Sequence, residues 1–366
     1  MVNHFYVHLL NDFSGSPLVL SDFINASESS AHKQIVFTSQ HEGFLDNCCA
    51  EKKRFFYFRS SNKYAVLLAF SIAQAQIFFL LSVQLLLSKF RGNKSIVVVN
   101  TMLPSLGLLA GKLFASQVIC YVHETTVNPP GLKAVLRWFV EHCAHHVLFV
   151  SNFLKKSESF KYPVQHVMHN GLRRDFPVNI SIDRLQKHSD GLVVFVGSLK
   201  PYKGIAQLLD IARQSPDLNF FAALNSTTEQ LATYMEATEV PENLVVECRP
   251  PDINKFYQRA FVVMNLSLPD TWIETFAMTL LEGMHYGCAV VAPPVGGHLD
   301  YVTDKHGLLC NAVKTYEISA FLKEVKKDRE KWLSYSHASS STAAELSHEK
   351  FAQSAHEFVA RIEIAA

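Results

Sequence analysis

Short apolar runs alternate with longer amphipathic stretches along this chain. Runs at 4–10, 34–39, 95–104 and 117–125 are rich in Val, Ile and aromatic residues and predict strands, and a shorter run at 54–59 predicts an edge strand. The alternation restarts at 192–196, after a polar segment at 174–190 that we interpret as a linker. Strands that alternate with helices predict an α/β protein with parallel sheets. We therefore expect two α/β domains, at 1–175 and 190–344.

The stretch at 64–87 contains no charged residue and is long enough to cross a membrane. Its polar residues fall mostly on one half of a helical wheel, and it precedes an apolar strand that needs a covering helix. We predict a core helix; the alternative is a helix that lies on a membrane surface. The basic residues near it are Lys52, Lys53, Arg54, Lys63, Lys89, Arg91 and Lys94.

Composition is that of a globular protein, with 48% hydrophobic and 18% charged residues. The seven cysteines are odd in number and scattered, which favours a reducing compartment over a disulfide framework or a zinc site. The first residues lack the pattern of a secretory signal, so we expect a cytoplasmic protein. Residues 1–180 carry 17 Lys and Arg against 10 Asp and Glu, whereas the remainder carries 17 against 23. A basic half indicates an anionic partner, such as an acidic glycan, a lipid diphosphate or a membrane surface, although drift in surface charge would give the same balance.

The most informative stretch is 271–298, which predicts a loop, a helix, a strand and a glycine loop. Glu274 and Glu282 are eight positions apart. A helix that begins at Glu274 would separate them by about 12 Å, similar to the distance from sugar to ribose in a nucleotide diphosphate sugar. The first-turn amides near Thr275, Phe276 and Ala277 would then suit a diphosphate between the two carboxylates.

This stretch, ETFAMTLLEGMHYGCAVVA, resembles the Glu-x7-Glu signature of the retaining, GT-B-fold glycosyltransferases of the family-four type, glycosyl transferases group 1. It departs from that signature at Ala277, Gly283, Cys288 and Ala289. The resemblance implies two Rossmann-like, doubly wound domains facing a cleft, with the C-terminal helix at 345–366 returning to the first domain. It also implies a nucleotide diphosphate sugar as donor, with neither a metal nor another cofactor.

A second segment supports the resemblance. Gly197 permits a tight turn after the strand at 192–196, and Lys203 stands at the start of the next helix, where a lysine can neutralise a diphosphate. The family text is G-R-L-x-x-x-K-G, so Lys203 matches its phosphate-binding lysine, whereas Ser198 stands where the family has arginine. Phosphate binding is then weaker, or Lys200 or Arg249 supplies the missing charge.

The first domain resembles the family more diffusely. His123 follows a strand and lies where the family has a histidine close to the donor sugar, so it is the main candidate there. Glu124 would be its partner or a cap. The Ser14–Gly15–Ser16 loop resembles the N-terminal glycine loop of the family, which lies near the donor phosphates and the acceptor.

We therefore expect a retaining hexosyl- or deoxyhexosyltransferase that acts on a glycan or glycolipid, in the synthesis of bacterial surface polysaccharides. Glu274 would hold the sugar, Glu282 the ribose, and Lys203 the diphosphate. The alternatives are a sugar-nucleotide epimerase of the same fold and a non-catalytic sugar-binding protein. We expect no nucleic-acid partner. We expect a cytoplasmic location, with a peripheral position on the inner face of an anionic membrane as the alternative.

Overall fold

The computed structural model describes residues 1–28, 32–178 and 180–366. The chain forms two compact units, Met1–Arg174 with His348–Ala366, and Asp175–Ser347. Both are α/β, as the alternating pattern predicts.

The first unit contains a seven-stranded parallel sheet in the order β3-β2-β1-β4-β5-β6-β7. Its strands are β1 Val2–Val7, β2 Lys33–Ser39, β3 Glu51–Phe55, β4 Lys94–Asn100, β5 Gln117–Val122, β6 His146–Phe149 and β7 Val164–Val167. Its first helices are α1 Gly15–Ala26, α2 Lys63–Phe90, α3 Ser105–Phe114, α4 Pro130–Cys143 and α5 Asn152–Ser157. The strand order reverses between β1 and β4, which are neighbours in the sheet. Ligands of doubly wound sheets bind beside the carboxyl ends of strands at such a reversal.

The second unit contains a six-stranded parallel sheet in the order β10-β9-β8-β11-β12-β13. Its strands are β8 Leu192–Ser198, β9 Asn219–Asn225, β10 Leu244–Cys248, β11 Ala260–Met264, β12 Ala289–Ala292 and β13 Gly307–Leu309. Its helices are α6 Arg184–Asp190, α7 Ile205–Gln214, α8 Thr228–Glu236, α9 Asn254–Arg259, α10 Met278–His285, α11 Thr315–Lys327 and α12 Arg329–Glu345. Here the strand order reverses between β8 and β11. The strands next to this reversal are largely buried, as is usual for parallel sheets covered on both faces.

Two boundaries differ from the sequence-based prediction. The segment predicted as a linker at 174–190 is not free: its described residues from 175 onwards, 175–178 and 180–190, belong to the second unit. There α6 packs on β11, and the Lys187 ammonium donates to the carbonyl oxygen of Tyr257 at 2.6 Å. The edge strand predicted at 54–59 is β3, Glu51–Phe55, and residues 56–59 are not part of it. The final helix, α13 His348–Ala365, belongs to the first unit, as the resemblance implies.

The polar half of α2 is not its solvent side, as it would be in an amphipathic core helix. Gln74, Ser82 and Ser88 are buried, whereas large apolar side chains on the same helix are exposed. The helix therefore packs on the first unit with its more polar side. Only that side of α2 contributes to the core.

Candidate active site

The centre of the candidate site is an ion pair between two predicted residues, Lys203 and Glu274. Lys203 ends a short 3-10 turn, Pro201–Lys203, after β8, and Glu274 lies in the loop that follows β11. Because β8 and β11 are the neighbours at which the strand order reverses, their carboxyl ends bring these side chains together. Both side chains remain partly accessible, at 18% and 14%.

Glu274 is held as a carboxylate. Burial raises its pKa, but the Lys203 charge and hydrogen bonds from Lys203, Ser267 and Asn265 outweigh burial, so the net pKa is lowered. The Ser267 hydroxyl donates to Glu274 Oε1 at 2.7 Å, and Asn265 Oδ1 accepts from the Ser267 amide at 3.0 Å. Neither Ser267 nor Asn265 was predicted; only their position directly after a buried strand could have indicated them.

The loop after Glu274 corrects the predicted helix boundary. Thr275, Phe276 and Ala277 are not helical, and α10 begins at Met278. The amides at the helix start are therefore those of Met278 and Thr279. Glu282 lies about one turn inside the helix, so the spacing estimated from a continuous helix does not apply.

Ala277 occupies the left-handed region, with φ 63° and ψ 64°. The family signature has glycine at this position, and glycine adopts this conformation without steric cost. The Tyr301 hydroxyl, 2.8 Å from the carbonyl oxygens of both Phe276 and Ala277, holds the turn. The predicted glycine loop also packs here, since the Gly297 amide donates to the Glu274 carbonyl oxygen at 2.7 Å. Non-local contacts therefore fix the loop that carries Glu274.

Glu282 is buried on α10, and its Oε2 accepts a hydrogen bond of 3.0 Å from the Tyr257 hydroxyl. Tyr257 is completely buried on α9 and was not singled out from the sequence. A buried carboxylate needs such a donor, and the bond fixes the direction in which the second oxygen points.

The strand ends beside Lys203 hold the other predicted residues of this unit. Gly197 and Ser198 end β8, and a side chain at Gly197 would meet the Phe195 ring at 3.2 Å. Arg249 follows β10, has φ 44°, and donates from Nε to Asn225 Oδ1 at 2.8 Å. Since Asn225 pairs with Ser198 in the sheet register, Arg249 is tied to the strand next to Ser198. In the described part of the chain, the side-chain partner of Arg249 is Asn225 and not a group of the Lys203–Glu274 pair.

An aromatic pair flanks the ion pair. Tyr202 and Trp272 stack with ring centroids 5.1 Å apart, and Lys203 Nζ lies 5.0 Å from the centroid of the Trp272 ring. A cation over an indole face is attracted by its quadrupole. The pair therefore restricts where the Lys203 ammonium can lie.

In the first unit, His123 follows β5 at the carboxyl edge of the sheet, next to β4, one of the two strands at the reversal. Its Nε2 lies 2.8 Å from Asn100 Oδ1, while Asn100 Nδ2 donates to the Ser16 carbonyl oxygen at 3.0 Å and lies 3.1 Å from His8 Nδ1. Because Asn100 Oδ1 only accepts, His123 carries its proton on Nε2. Burial lowers the pKa of His123 to about 3 and of His8 to about 4, so both are neutral near pH 7.

The remaining predictions in this unit have mixed outcomes. Glu124 is not the partner of the His123 ring: its Oε2 accepts from the backbone amides of His123 and Met102, and burial raises its pKa to about 7. Gly15 begins α1, and an added Cβ would meet no atom within 4 Å. Thr101, beside Asn100, has φ 70°, a strained value for a β-branched residue.

A comparison with protein families identifies the second unit. Residues 179–340 match the model of the family described as glycosyl transferases group 1. The second unit is a glycosyl transferases group 1 domain. The matched residues include Lys203, Glu274 and Glu282, so the ion pair and the buried carboxylate belong to the glycosyltransferase domain.

Solved structures share the fold along the whole chain. HepE from Anabaena, in complex with UDP and glucose, matches with a TM-score of 0.77 at 16% identity, over 98% of this chain and 99% of that one. Sucrose-phosphate synthase from Thermosynechococcus elongatus matches with a TM-score of 0.76 at 14% identity over 100% of both chains. A glycosyltransferase from Rickettsia africae matches with a TM-score of 0.73 at 14% identity, over 99% and 97%. At these identities the likeness shows the GT-B fold. No curated protein sequence matches the chain.

The glycosyltransferase domain thus brings together Lys203, Glu274, Gly197 and Ser198, with Glu282 on the adjoining helix. His123 and Gly15 form a separate group in the first unit, connected through Asn100 and Ser16. Within the described residues, no group of three or more His, Cys, Asp or Glu side chains is placed to hold a metal ion.

Proposed function

We propose that the chain transfers a hexosyl or deoxyhexosyl group from a nucleotide diphosphate sugar to a glycan or glycolipid, with retention of the anomeric configuration. The observation that carries this proposal is the Lys203–Glu274 pair at the strand reversal of a glycosyl transferases group 1 domain. The pair supplies a cation and a fixed carboxylate, and Glu274 lies four residues before the start of α10, whose first amides would be the backbone donors for a diphosphate. HepE, which shares the fold, was crystallised with UDP-glucose and with UDP.

The reaction breaks the bond between the anomeric carbon and the phosphate oxygen and forms a bond between that carbon and the oxygen of an acceptor hydroxyl, whose proton leaves with the diphosphate. Negative charge develops on the departing diphosphate, so groups that already point at it lower the barrier. Lys203 and the first amides of α10 supply that stabilisation, in place of a metal ion. Ser198 contributes no charge where the family has arginine, and Arg249 is the cation that we propose in its place.

Glu274 has the complementary role. As a carboxylate with lowered pKa, it accepts hydrogen bonds from the sugar hydroxyls and stabilises positive charge at the anomeric carbon. Glu274 pairs with Lys203, so a bound diphosphate has to share that ammonium. Glu282, oriented by Tyr257, accepts from the ribose hydroxyls.

His123 would orient the sugar through Nδ1, because Nε2 is directed at Asn100. Gly15 would allow a ligand to approach the start of α1, since its Cα faces open space. A glycolipid acceptor would explain the basic first half and would place the protein on the inner face of an anionic membrane, in surface polysaccharide synthesis.

The test is nucleoside diphosphate release from UDP-, GDP- and dTDP-sugars, with and without an acceptor glycolipid fraction. We expect one donor class to be consumed only with acceptor, and Glu274→Gln to lower the rate by roughly 10²–10³-fold. Glu242→Gln, an exposed carboxylate of the same domain, is the matched control and should leave the rate unchanged.

The same panel separates the alternatives. A changed sugar nucleotide without acceptor would indicate an epimerase, and no turnover of any donor would indicate a binding protein. Either result would overturn the proposed transfer.

A further inference from the structure

The outer face of α2 is an apolar stripe along the whole helix. Its large side chains are spaced three, four or seven residues apart, which places them on one side of an α-helix. Tyr64, Phe79 and Phe90 are 71%, 67% and 86% exposed. The stripe also includes Leu68, Ile72, Val83 and Leu87. From 64 to 90 it extends about 39 Å. Isolated exposed apolar residues are common, but a continuous apolar face marks an interaction surface.

The opposite side of α2 is anchored in the first unit. The Gln74 side chain donates to the Leu103 carbonyl oxygen at 2.9 Å and accepts from the Leu106 amide at 3.0 Å. Ser88 Oγ accepts from Asn3 Nδ2 at 2.8 Å and from Ser95 Oγ at 2.9 Å. The helix is long and apolar enough to cross a membrane, but lipid all around it would break these bonds. Lipid can therefore contact α2 only on the side that carries the stripe.

Positive charge surrounds the stripe. Residues 51–94 contain eight Lys and Arg and one acidic residue, Glu51, which already pairs with Lys33 and Lys53. Four exposed cations near the helix ends make no ion pair within the described part of the chain; they are Lys63, Lys89, Arg91 and Lys94. An apolar helix face with cations at its ends is complementary to an anionic bilayer surface.

We propose that α2 lies flat on an anionic lipid surface, with its stripe in the boundary between headgroups and acyl chains. A second copy of the chain fits less well. Two paired α2 helices, parallel or antiparallel, would bring cations of one copy next to cations of the other, not next to acids. These cations are Lys63, Lys89, Arg91 and Lys94. Like charges across an interface are unfavourable. This contact deepens the peripheral membrane position given under the proposed function, and vesicle binding is measured without donor or acceptor, so the two proposals can fail separately.

The experiment is co-sedimentation of the full chain with vesicles of phosphatidylcholine and phosphatidylglycerol in equal parts, and with phosphatidylcholine alone. We expect binding to the mixed vesicles and at least about tenfold weaker binding to the neutral ones, since each basic residue near an anionic surface contributes about 1 kcal/mol. The double variant Leu68→Gln, Phe79→Gln should partition at least about tenfold less to both, because it removes two lipid-facing side chains.

The matched control is Leu185→Gln, Tyr316→Gln, which removes an equally exposed leucine and aromatic residue from the second unit. It should bind like the wild type. The triple variant Lys89→Gln, Arg91→Gln, Lys94→Gln should lose the preference for mixed vesicles but keep the binding to neutral ones. An unchanged thermal unfolding midpoint shows that each variant is folded.

Three results would overturn the proposal. The first is a wild type that remains in the supernatant with mixed vesicles. The second is a control variant that loses as much binding as the stripe variant. The third is a wild type that is dimeric in solution and does not bind vesicles, with a stripe variant that is monomeric. The last would assign the stripe to a second copy of the chain.

Discussion

Replacing Lys203 by methionine tests the electrostatics of the candidate site without reference to any substrate. The substitution keeps most of the side-chain volume and removes the cation that pairs with Glu274. The carboxylate then remains largely buried, with hydrogen bonds from Ser267 and Asn265 but no opposite charge. We therefore expect the pKa of Glu274 to move from below to above its ordinary value.

The size of the effect follows from burial. Removing one partner of a fully buried ion pair costs about 3–5 kcal/mol. Because roughly one sixth of each side chain here is accessible, we expect a loss of about 2–3 kcal/mol at pH 7. In the wild type, the lowered pKa of Glu274 stabilises the folded state above about pH 4.5. This stability is lost as the pH falls through the pKa that Glu274 has in the folded protein. In the variant the carboxylate is destabilising, so the difference from the wild type should shrink towards pH 4.5.

The assay is urea unfolding at pH 7 and pH 4.5, in a Trp138→Phe background that leaves Trp272 and Trp332 to report on the second unit. Glu274→Gln and the double variant complete a cycle, and the coupling energy between the two positions should be favourable at pH 7. An equal loss of stability at both pH values, or a coupling energy near zero, would refute this reasoning.

Three further substitutions test the surroundings of the pair. Ala277→Gly should raise the free energy of unfolding by about 1 kcal/mol, because it relieves a left-handed alanine; a lower midpoint of urea unfolding would contradict this. Gly283→Ala should lower it by about 1–3 kcal/mol although alanine favours helices, since its Cβ would lie 2.5 Å from Val263 Cγ1; combining it with Val263→Ala should recover part of that loss, and strictly additive effects would argue against the clash. Tyr257→Phe should weaken UDP binding by about 1 kcal/mol, through the lost bond to Glu282, measured by titration calorimetry; an unchanged affinity would disconnect Tyr257 from the nucleotide.

Several elements could be predicted from the sequence because their causes are local. The apolar runs of β1, β4 and β8 and the glycine at the start of α7 define strands and turns by themselves. Gly204 adopts φ 84° and approaches the Leu266 backbone so closely that a Cβ would lie 2.2 Å from its carbonyl oxygen. The two-unit α/β architecture and the Lys203 position follow from such patterns.

What could not be predicted depends on contacts between distant positions. The start of α10 is set by Ala277, whose turn is held by Tyr301 from 24 residues further on. The partners of Glu274, Ser267 and Asn265, are ordinary polar residues of a loop until folding places them beside the carboxylate. The exposure of the α2 stripe likewise depends on which side packs on the sheet, since its apolar residues surround most of the helix.

The central claim is that Lys203 and the start of α10 hold the diphosphate of an activated sugar. Titration calorimetry with UDP and with uridine, on the wild type, Lys203→Met and the exposed control Lys323→Met, tests it directly. We predict that Lys203→Met weakens UDP binding at least about tenfold, as expected for a charge-assisted hydrogen bond, while uridine binding and the control stay unchanged. Equal UDP affinities of the wild type and Lys203→Met would contradict the account.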